Sequence, residues 1–157
     1  MRKLPLKVAG EVVFEKFRGL CPELLGDYIS LAEYLKFFEA TYTDVYNDGE
    51  GWVLVAAEPL GHCAEIHAYA FDRDFRNKKP FFQAVIDDLT SKGKVRLWTT
   101  LMPQTGHRVR QELAALGFQC EGILRAFYYI GPGKRFADGE LWARISLDTE
   151  AVDGKQN

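Results

Sequence analysis

The residues best placed for chemistry are Glu65 and His67, which lie two positions apart in an alternating stretch of sequence. Residues 64–71 alternate charged or aromatic side chains with small or aliphatic ones, a pattern typical of a half-buried β-strand. Side chains at this spacing point to the same face of a strand. A carboxylate and an imidazole on one face can take a proton from a substrate, directly or through water. We therefore predict Glu65 and His67 as catalytic residues; the alternative is that Glu65 pairs with an arginine and His67 is a hydrogen-bonded structural residue.

The side chains of His62, Cys63, Glu65 and His67 are also of types that bind metals. If the strand begins at His62, alternation turns His62 and Cys63 to opposite faces. No second pair of ligand residues has a standard spacing. We therefore predict no metal site.

Aromatic residues accompany the same strand and a later one. Tyr69, Tyr128 and Tyr129 could line a cleft, or they could pack as core and cross-strand partners, which is the commoner role of aromatic residues in strands. The sequence leaves both roles open.

Periodicity and turn residues predict the elements that position these side chains. The predicted strands span 8–17, 41–46, 52–57, 64–71, 95–101, 118–130 and 141–147, with a hairpin at 47–49 and turns at 131–133 and 138–139. The predicted helices run from Cys21 and Pro22 to about Ala40, from Pro80 to 91–93, and from about Thr105 to a cap at Gly117. Strands and helices alternate in the second half, while hairpins join strands elsewhere. This order predicts an α/β (α+β) fold with a mixed, largely antiparallel central sheet flanked by helices.

Composition narrows the class of protein. The 157 residues are 47% hydrophobic and 27% charged, as in an ordinary globular domain, and we predict one domain at 1–147 with a polar tail at 148–157. A net charge of -2 argues against a nucleic-acid partner. Three cysteines, odd in number and far apart, predict no disulfide framework and a cytoplasmic location. We predict neither a signal peptide nor a membrane span.

Short motifs in the second half resemble a known family. They are Leu116, Gly117 and Phe118, followed by Glu121, Gly122 and Arg125, and then Asp138 before the last strand. Together with the order of elements, they resemble the GNAT superfamily of N-acetyltransferases, and especially its ribosomal-protein branch. The resemblance covers residues 64–145 by motif and the N-terminal part by element order alone.

The resemblance implies an acetyl-CoA site after the strand at 64–71. In the family, the loop and helix N-terminus at this place hold the pyrophosphate, because free backbone N–H groups and the positive end of the helix dipole attract phosphate. The residues that match are Phe71, Arg76, Asn77, Lys78, Lys79 and Phe81, with Gly106 at the next helix. The basic side chains among them add charge of the right sign.

The sequence departs from the family pattern in two places. The loop at 73–79 has no glycine, although the family uses glycine there to bring the backbone close to phosphate. In the helix from Thr105, Gly106 stands where the family often has asparagine, and Leu113 where it often has the tyrosine that protonates the leaving thiolate. Leu113 cannot donate a proton, so the usual acid is missing.

The resemblance implies an N-acyltransferase that moves an acetyl group from acetyl-CoA to a primary amine of a small molecule or protein. Attack on the thioester needs a neutral amine, which Glu65 or His67 would supply by removing its proton. The alternative is a catalytically inactive GNAT-like binding or assembly module of a divergent phage type, which the glycine-free loop and Leu113 favour. A homodimer is compatible with either function.

Overall fold

The elements below come from a computed structural model that describes residues 1–20, 30–49, 53–70, 78–102, 105–130 and 135–146. In chain order they are β1 Arg2–Lys3, α1 Leu6–Leu20, α2 Leu31–Thr41, β2 Asp44–Asn47, β3 Val53–Leu60, β4 Cys63–Ala70, α3 Lys79–Ser91, β5 Arg96–Leu101, α4 His107–Ala115, β6 Gln119–Ile130 and β7 Arg135–Ile145. The strands predicted at 52–57, 64–71 and 95–101 are confirmed as β3, β4 and β5, except that residues 52 and 71 lie outside the described residues. The strand predicted at 41–46 is confirmed as β2 but begins later, since Thr41 is the last residue of α2. The helices predicted from Pro80 and about Thr105 are confirmed as α3 and α4. No described helix is both long and apolar enough to cross a membrane.

The strands form one sheet in the order β1-β2-β3-β4-β5-β7-β6. All neighbours are antiparallel except β4 and β5, so the predicted mixed, largely antiparallel sheet in a single domain is confirmed. The parallel pair is short, because only Cys63 to Glu65 of β4 pair with Arg96 to Trp98 of β5. Both strands continue beyond these residues without pairing to each other, and the sheet therefore splits at its centre.

Alternation along β4 gives the sheet two different faces. Ala64 and Ile66 are buried in a core with Val85 and Leu89 of α3. Tyr69 points the other way and packs against a second core beneath α1 and α2. Glu65 and His67 lie between Ala64 and Tyr69 at odd positions and share the face of Tyr69.

The strand predicted at 8–17 is wrong, because this segment belongs to helix α1. Ala9 and Val13 are fully buried at a spacing of four residues, which is one face of a helix. Gly10 lets α2 approach closely: an added Cβ would lie 2.7 Å from Leu35 Cδ2. A short segment rich in valine and phenylalanine fits both periods, and packing against α2 decides in favour of the helix.

Helix α2 begins at Leu31, later than the predicted start at Cys21 and Pro22. Ser30 has an extended backbone and its Oγ accepts a hydrogen bond from the Glu33 N–H at 3.3 Å. Ser30 is therefore the N-cap, and its hydroxyl also donates a hydrogen bond to the Glu33 carboxylate at 2.8 Å. The spacing of Ser30 and Glu33 is a helix start signal that the sequence contains and the prediction missed. The predicted portion at 21–29 lies outside the described residues.

The turn predicted at Asp138 and Gly139 is also wrong, since both residues lie inside β7. Gly139 pairs with Leu124 of β6, and the Asp138 carboxylate accepts a hydrogen bond from the Ala126 N–H at 2.9 Å. An Asp-Gly pair favours a turn only when the chain reverses there. The turn at 131–133 and the tail at 148–157 lie outside the described residues, and the domain boundary stays a prediction. Gly117 has φ +84°, which confirms the predicted left-handed cap after α4.

Candidate active site

A cavity of about 950 Å³ occupies the split between β4 and β5. One side is formed by α3 and α4 and is mostly apolar, with residues such as Val85 and Leu113. The other side, beneath α2, includes Glu65, His67 and Tyr69. Backbone groups of β4 beyond Glu65 face this space without a β5 partner. Because such groups need hydrogen bonds, the split edge can bind an extended ligand with amide groups.

Glu65 and His67 both line the cavity, as their spacing predicts. His67 Nε2 lies 3.6 Å from Glu65 Oε1 and 3.6 Å from Glu58 Oε2. The Nε2 atom is shielded from solvent and makes no hydrogen bond within the described part of the chain. The arrangement can accept a proton at His67 and hold a positive charge between two carboxylates.

Glu58 is a site residue that the sequence reading missed. It lies directly across from Glu65 in the β3–β4 ladder. The signal was available, because the tight turn at Gly61 and His62 fixes the register, and counting back from it pairs 58 with 65.

Glu58, Glu65 and His67 each place one potential ligand atom within 4.8 Å of the others. Two carboxylates and one imidazole could hold a divalent cation. The sequence analysis considered Glu65 and His67 together with His62 and Cys63 and overlooked only Glu58. The prediction of no metal stays a prediction.

Tyr42 packs against the imidazole of His67 and is hydrogen-bonded to a second tyrosine, Tyr69. The Tyr42 ring lies edge-on to His67 with centroids 5.2 Å apart, and the Tyr42 and Tyr69 hydroxyls are hydrogen-bonded at 2.9 Å. Burial raises the pKa of Tyr42 to about 12 and raises that of Tyr69 further. Both phenols therefore keep their protons at neutral pH and form an uncharged wall beside the carboxylates.

Tyr128 of β6 lines the cavity from the side of β5, β6 and β7. Its hydroxyl donates a hydrogen bond to Thr100 Oγ1 at 2.6 Å. Burial raises the pKa of Tyr128, so this hydroxyl is also protonated at neutral pH. The structure thus places Tyr69 and Tyr128 at the cleft. Of the two roles that the sequence left open for them, this is the less common one for aromatic residues in strands.

The residues predicted to bind the donor are only partly described. Phe71, Arg76 and Asn77 lie outside the described residues. Lys79 is the exposed first residue of α3, and Phe81 is buried in the core beneath that helix. Lys78 precedes α3 and its Nζ lies 2.7 Å from Asp48 Oδ2. Part of the predicted positive charge is therefore engaged in an ion pair.

The N-termini of α3 and α4 have no side-chain cap. Lys78 and Gly106 stand at the two capping positions and neither makes a side-chain hydrogen bond to the helix. Neither first turn contains an acidic residue. The free N–H groups and the helix dipole leave both ends receptive to an anion. Arg108, in the first turn of α4, lines the cavity and adds a cation that the sequence reading missed.

A sheet split between two parallel strands, with a helix after each of them, defines the class of fold. No family model matches the sequence, and no curated protein matches it either. Solved structures of GNAT-family acetyltransferases do match, and ribosomal-protein N-acetyltransferases are among them. The chain therefore has the GNAT fold, and the resemblance stated from the motifs is confirmed at the level of the fold.

Three of these structures show the extent of the match. The ribosomal-protein-S18-alanine N-acetyltransferase from Escherichia coli has a TM-score of 0.69 at 15% identity, covering 96% of this chain and 96% of that one. The GNAT-family acetyltransferase from Streptococcus pneumoniae has a TM-score of 0.67 at 20% identity, covering 92% and 97%. The ribosomal-protein-S5-alanine acetyltransferase from Vibrio fischeri has a TM-score of 0.66 at 16% identity, covering 94% and 92%.

Proposed function

We propose that the protein is an N-acetyltransferase that moves the acetyl group of acetyl-CoA to a primary amine. The observation that carries the proposal is the position of Glu65 and His67 on one face of β4, at the point where β4 and β5 separate. A thioester in the split would lie beside the unpaired edge of β4. An amine that approaches from the α2 side would meet the carboxylates and the imidazole.

The acceptor end suits an amine that arrives as an ammonium ion. Glu58 and Glu65 provide negative charge to attract it, and the orphaned His67 Nε2 provides a proton acceptor. Once the nitrogen is neutral, its lone pair can attack the acetyl carbon. The C–S bond then breaks and the sulfur leaves with the electron pair.

The donor end suits a ligand with phosphates and amides. The two uncapped helix N-termini, with Lys79 and Arg108 in their first turns, fit phosphate, and the open edge of β4 fits amide groups. The loop before α3 supplies Arg76 in the sequence. The free cysteines Cys63 and Cys120 favour a cytoplasmic location.

The alternative of an inactive binding module gains no support. The solved structures that match this chain are acetyltransferases, and the described site has a candidate base, a cavity and a place for phosphate. The acceptor, whether a small molecule or a protein N-terminus, and the predicted homodimer stay predictions.

The first test is calorimetric titration with acetyl-CoA. We expect micromolar binding that weakens at least about tenfold in an Arg76→Ala/Lys79→Ala variant, because each lost cation removes a charge-assisted contact to phosphate. This variant leaves the ion pair of Lys78 with Asp48 intact. The matched control is Lys7→Ala/Lys36→Ala, which removes two exposed lysines from α1 and α2 and should bind normally. No binding at millimolar acetyl-CoA would overturn the proposed function.

The second test is a panel of primary amines, followed by release of free thiol. Glu65→Gln and His67→Gln should each lower kcat by about a hundredfold if the residue is the base, while acetyl-CoA binding stays unchanged. Wild-type rates in both variants would show that Glu65 and His67 are not catalytic, and would not contradict the fold or the donor site.

A further inference from the structure

Strand β6 contains an irregularity just before Tyr128, which lines the cavity together with Phe127. Leu124 pairs with Gly139 of β7 and Tyr128 pairs with Ala137, so β6 advances four residues while β7 advances two. Within this bulge Ala126 has φ +50°, a left-handed conformation that a non-glycine residue rarely adopts. Bulges occur beside active sites because they re-aim a side chain, and strained residues persist where the surroundings hold them.

Two residues of β7 hold the bulge and the ring that follows it. The Asp138 carboxylate accepts the hydrogen bond of the Ala126 N–H at 2.9 Å. Gly139 lies beneath the Tyr128 ring, and an added Cβ would be 3.0 Å from Tyr128 Cε2. Asp138 and Gly139 are therefore positioning residues for Tyr128, and the family motif that includes Asp138 gains a physical role.

The Tyr128 hydroxyl and His67 lie on opposite sides of the gap between β4 and β5. Trp98 of β5 is the ladder partner of Glu65 of β4, and paired residues point to the same face. Thr100, two residues after Trp98, shares that face. Because Tyr128 donates to Thr100 Oγ1 at 2.6 Å, its hydroxyl stands on the β5 wall while Glu65 and His67 stand on the β4 wall.

Helix α4 has no hydroxyl side chain, so a hydroxyl that donates a proton has to come from another element. Leu113, where the family often has a tyrosine, is an apolar part of the cavity wall. The hydroxyls of Tyr42 and Tyr69 are hydrogen-bonded to each other on the β4 side. Thr100 can accept a hydrogen bond from Tyr128 and can also donate one to a phenolate.

We propose that Tyr128, aimed by the β6 bulge, is the catalytic residue that protonates the departing thiolate. This inference rests on the proposed function. The ammonium ion loses its first proton to the Glu65 and His67 pair, which passes it to solvent before the neutral amine attacks. As the C–S bond breaks, the sulfur takes the electron pair and then the proton of the Tyr128 hydroxyl, while the second proton of the attacking nitrogen goes to the Glu65 and His67 pair and from there to solvent. Thr100 turns its hydroxyl to the phenolate, which regains a proton from solvent. The products are an N-acetylated amine and a free thiol.

The test compares two donors in the wild-type protein and in Tyr128→Phe. With acetyl-CoA we expect kcat to fall about a hundredfold in the variant, with acetyl-CoA binding by calorimetry unchanged. With the acetyl thioester of a nitrothiophenol, whose thiolate leaves without a proton, kcat/KM should be equal in the two proteins. An equal loss with both donors, or no loss with acetyl-CoA, would overturn the assignment.

Two further variants separate an acid role from a structural one. Gly139→Ala displaces the ring without removing the hydroxyl, and it should show the same donor-dependent loss in weaker form. Tyr46→Phe removes a hydroxyl that donates to Asp88 outside the cavity, and its rates with both donors should match those of wild type. If the wild-type protein neither binds acetyl-CoA nor acetylates any amine, the proposed function fails; if it does both and Tyr128→Phe keeps its activity, only the assignment of Tyr128 fails.

Discussion

The ionised carboxylate of Asp88 should stabilise the folded protein by an amount that depends on pH. Its Oδ2 accepts a hydrogen bond from the Tyr46 hydroxyl at 2.7 Å and lies 2.9 Å from Lys92 Nζ and 3.3 Å from Lys3 Nζ. The network joins α3 to β1 and β2. The hydrogen bond from Tyr46, with the two lysines beside it, lowers the pKa of Asp88 from 3.8 to about 2.

This lowered pKa sets both the size and the pH dependence of the effect. A shift from 3.8 to about 2 corresponds to at most roughly 2.5 kcal/mol of folding free energy. Because 26% of the side chain is exposed, solvent screening reduces the expected value to about 1 kcal/mol. The carboxyl is easier to ionise in the folded state, so the stabilisation is complete well above pH 3.8 and is lost as the pH falls toward 2.

The perturbation is Asp88→Asn, which keeps an oxygen for the Tyr46 hydroxyl and removes only the charge. At pH 7 the urea midpoint should fall by about 0.5 M, and at pH 3 the gap between the two proteins should be roughly half of that or less. Asp87→Asn is the matched control, since Asp87 is the exposed neighbour on the same helix. A gap that stays constant with pH, or an equal loss in the control, would refute the assignment of this stability to the ionised Asp88.

Two more predictions use matched pairs and urea unfolding. Phe38→Ala should lower the free energy of unfolding by about 3–5 kcal/mol, because this ring is fully buried beneath α1. Phe37→Ala is the control and should lower it far less, because Phe37 is 39% exposed. Similar losses in both variants would show that the α1–α2 core is loosely packed. Gly117→Ala should cost about 1–2 kcal/mol because its φ of +84° is unfavourable to alanine, although no atom blocks the methyl group more closely than 3.7 Å. Gly122→Ala, with open space and no positive φ, should be close to neutral, and an equal cost at both glycines would contradict the strain argument.

The second half of the chain could be predicted because its local signals agree with its tertiary structure. The strand at 64–70 alternates strictly, and α4 ends at a glycine with the positive φ that its cap requires. The segment at 8–17 could not be read in the same way, since valines and phenylalanines suit a strand, and only the close contact of Gly10 with α2 makes it a helix.

The site was predicted where one strand presents it and missed where two strands meet. Glu65 and His67 follow from the period of β4 alone. Glu58 was missed because it depends on the register of the β3–β4 hairpin. Tyr128 was named as a residue that could line a cleft, but its role stayed open because it depends on a bulge in β6. Arg108 reaches the cavity only because α4 packs beside the split, and no local pattern marks that position.

The alternation of β4 has a consequence for how such a protein can change over time. Odd positions such as Glu65 and His67 face the proposed acceptor side, and even positions such as Ala64 and Ile66 pack against α3. Under the proposed function, substitutions at odd positions would alter which amine is accepted while the opposite side keeps its contacts to the donor, so the two specificities could evolve separately. A deletion of one residue in β4 would move each following side chain to the other face of the sheet, so this strand should tolerate substitutions far better than a change of length.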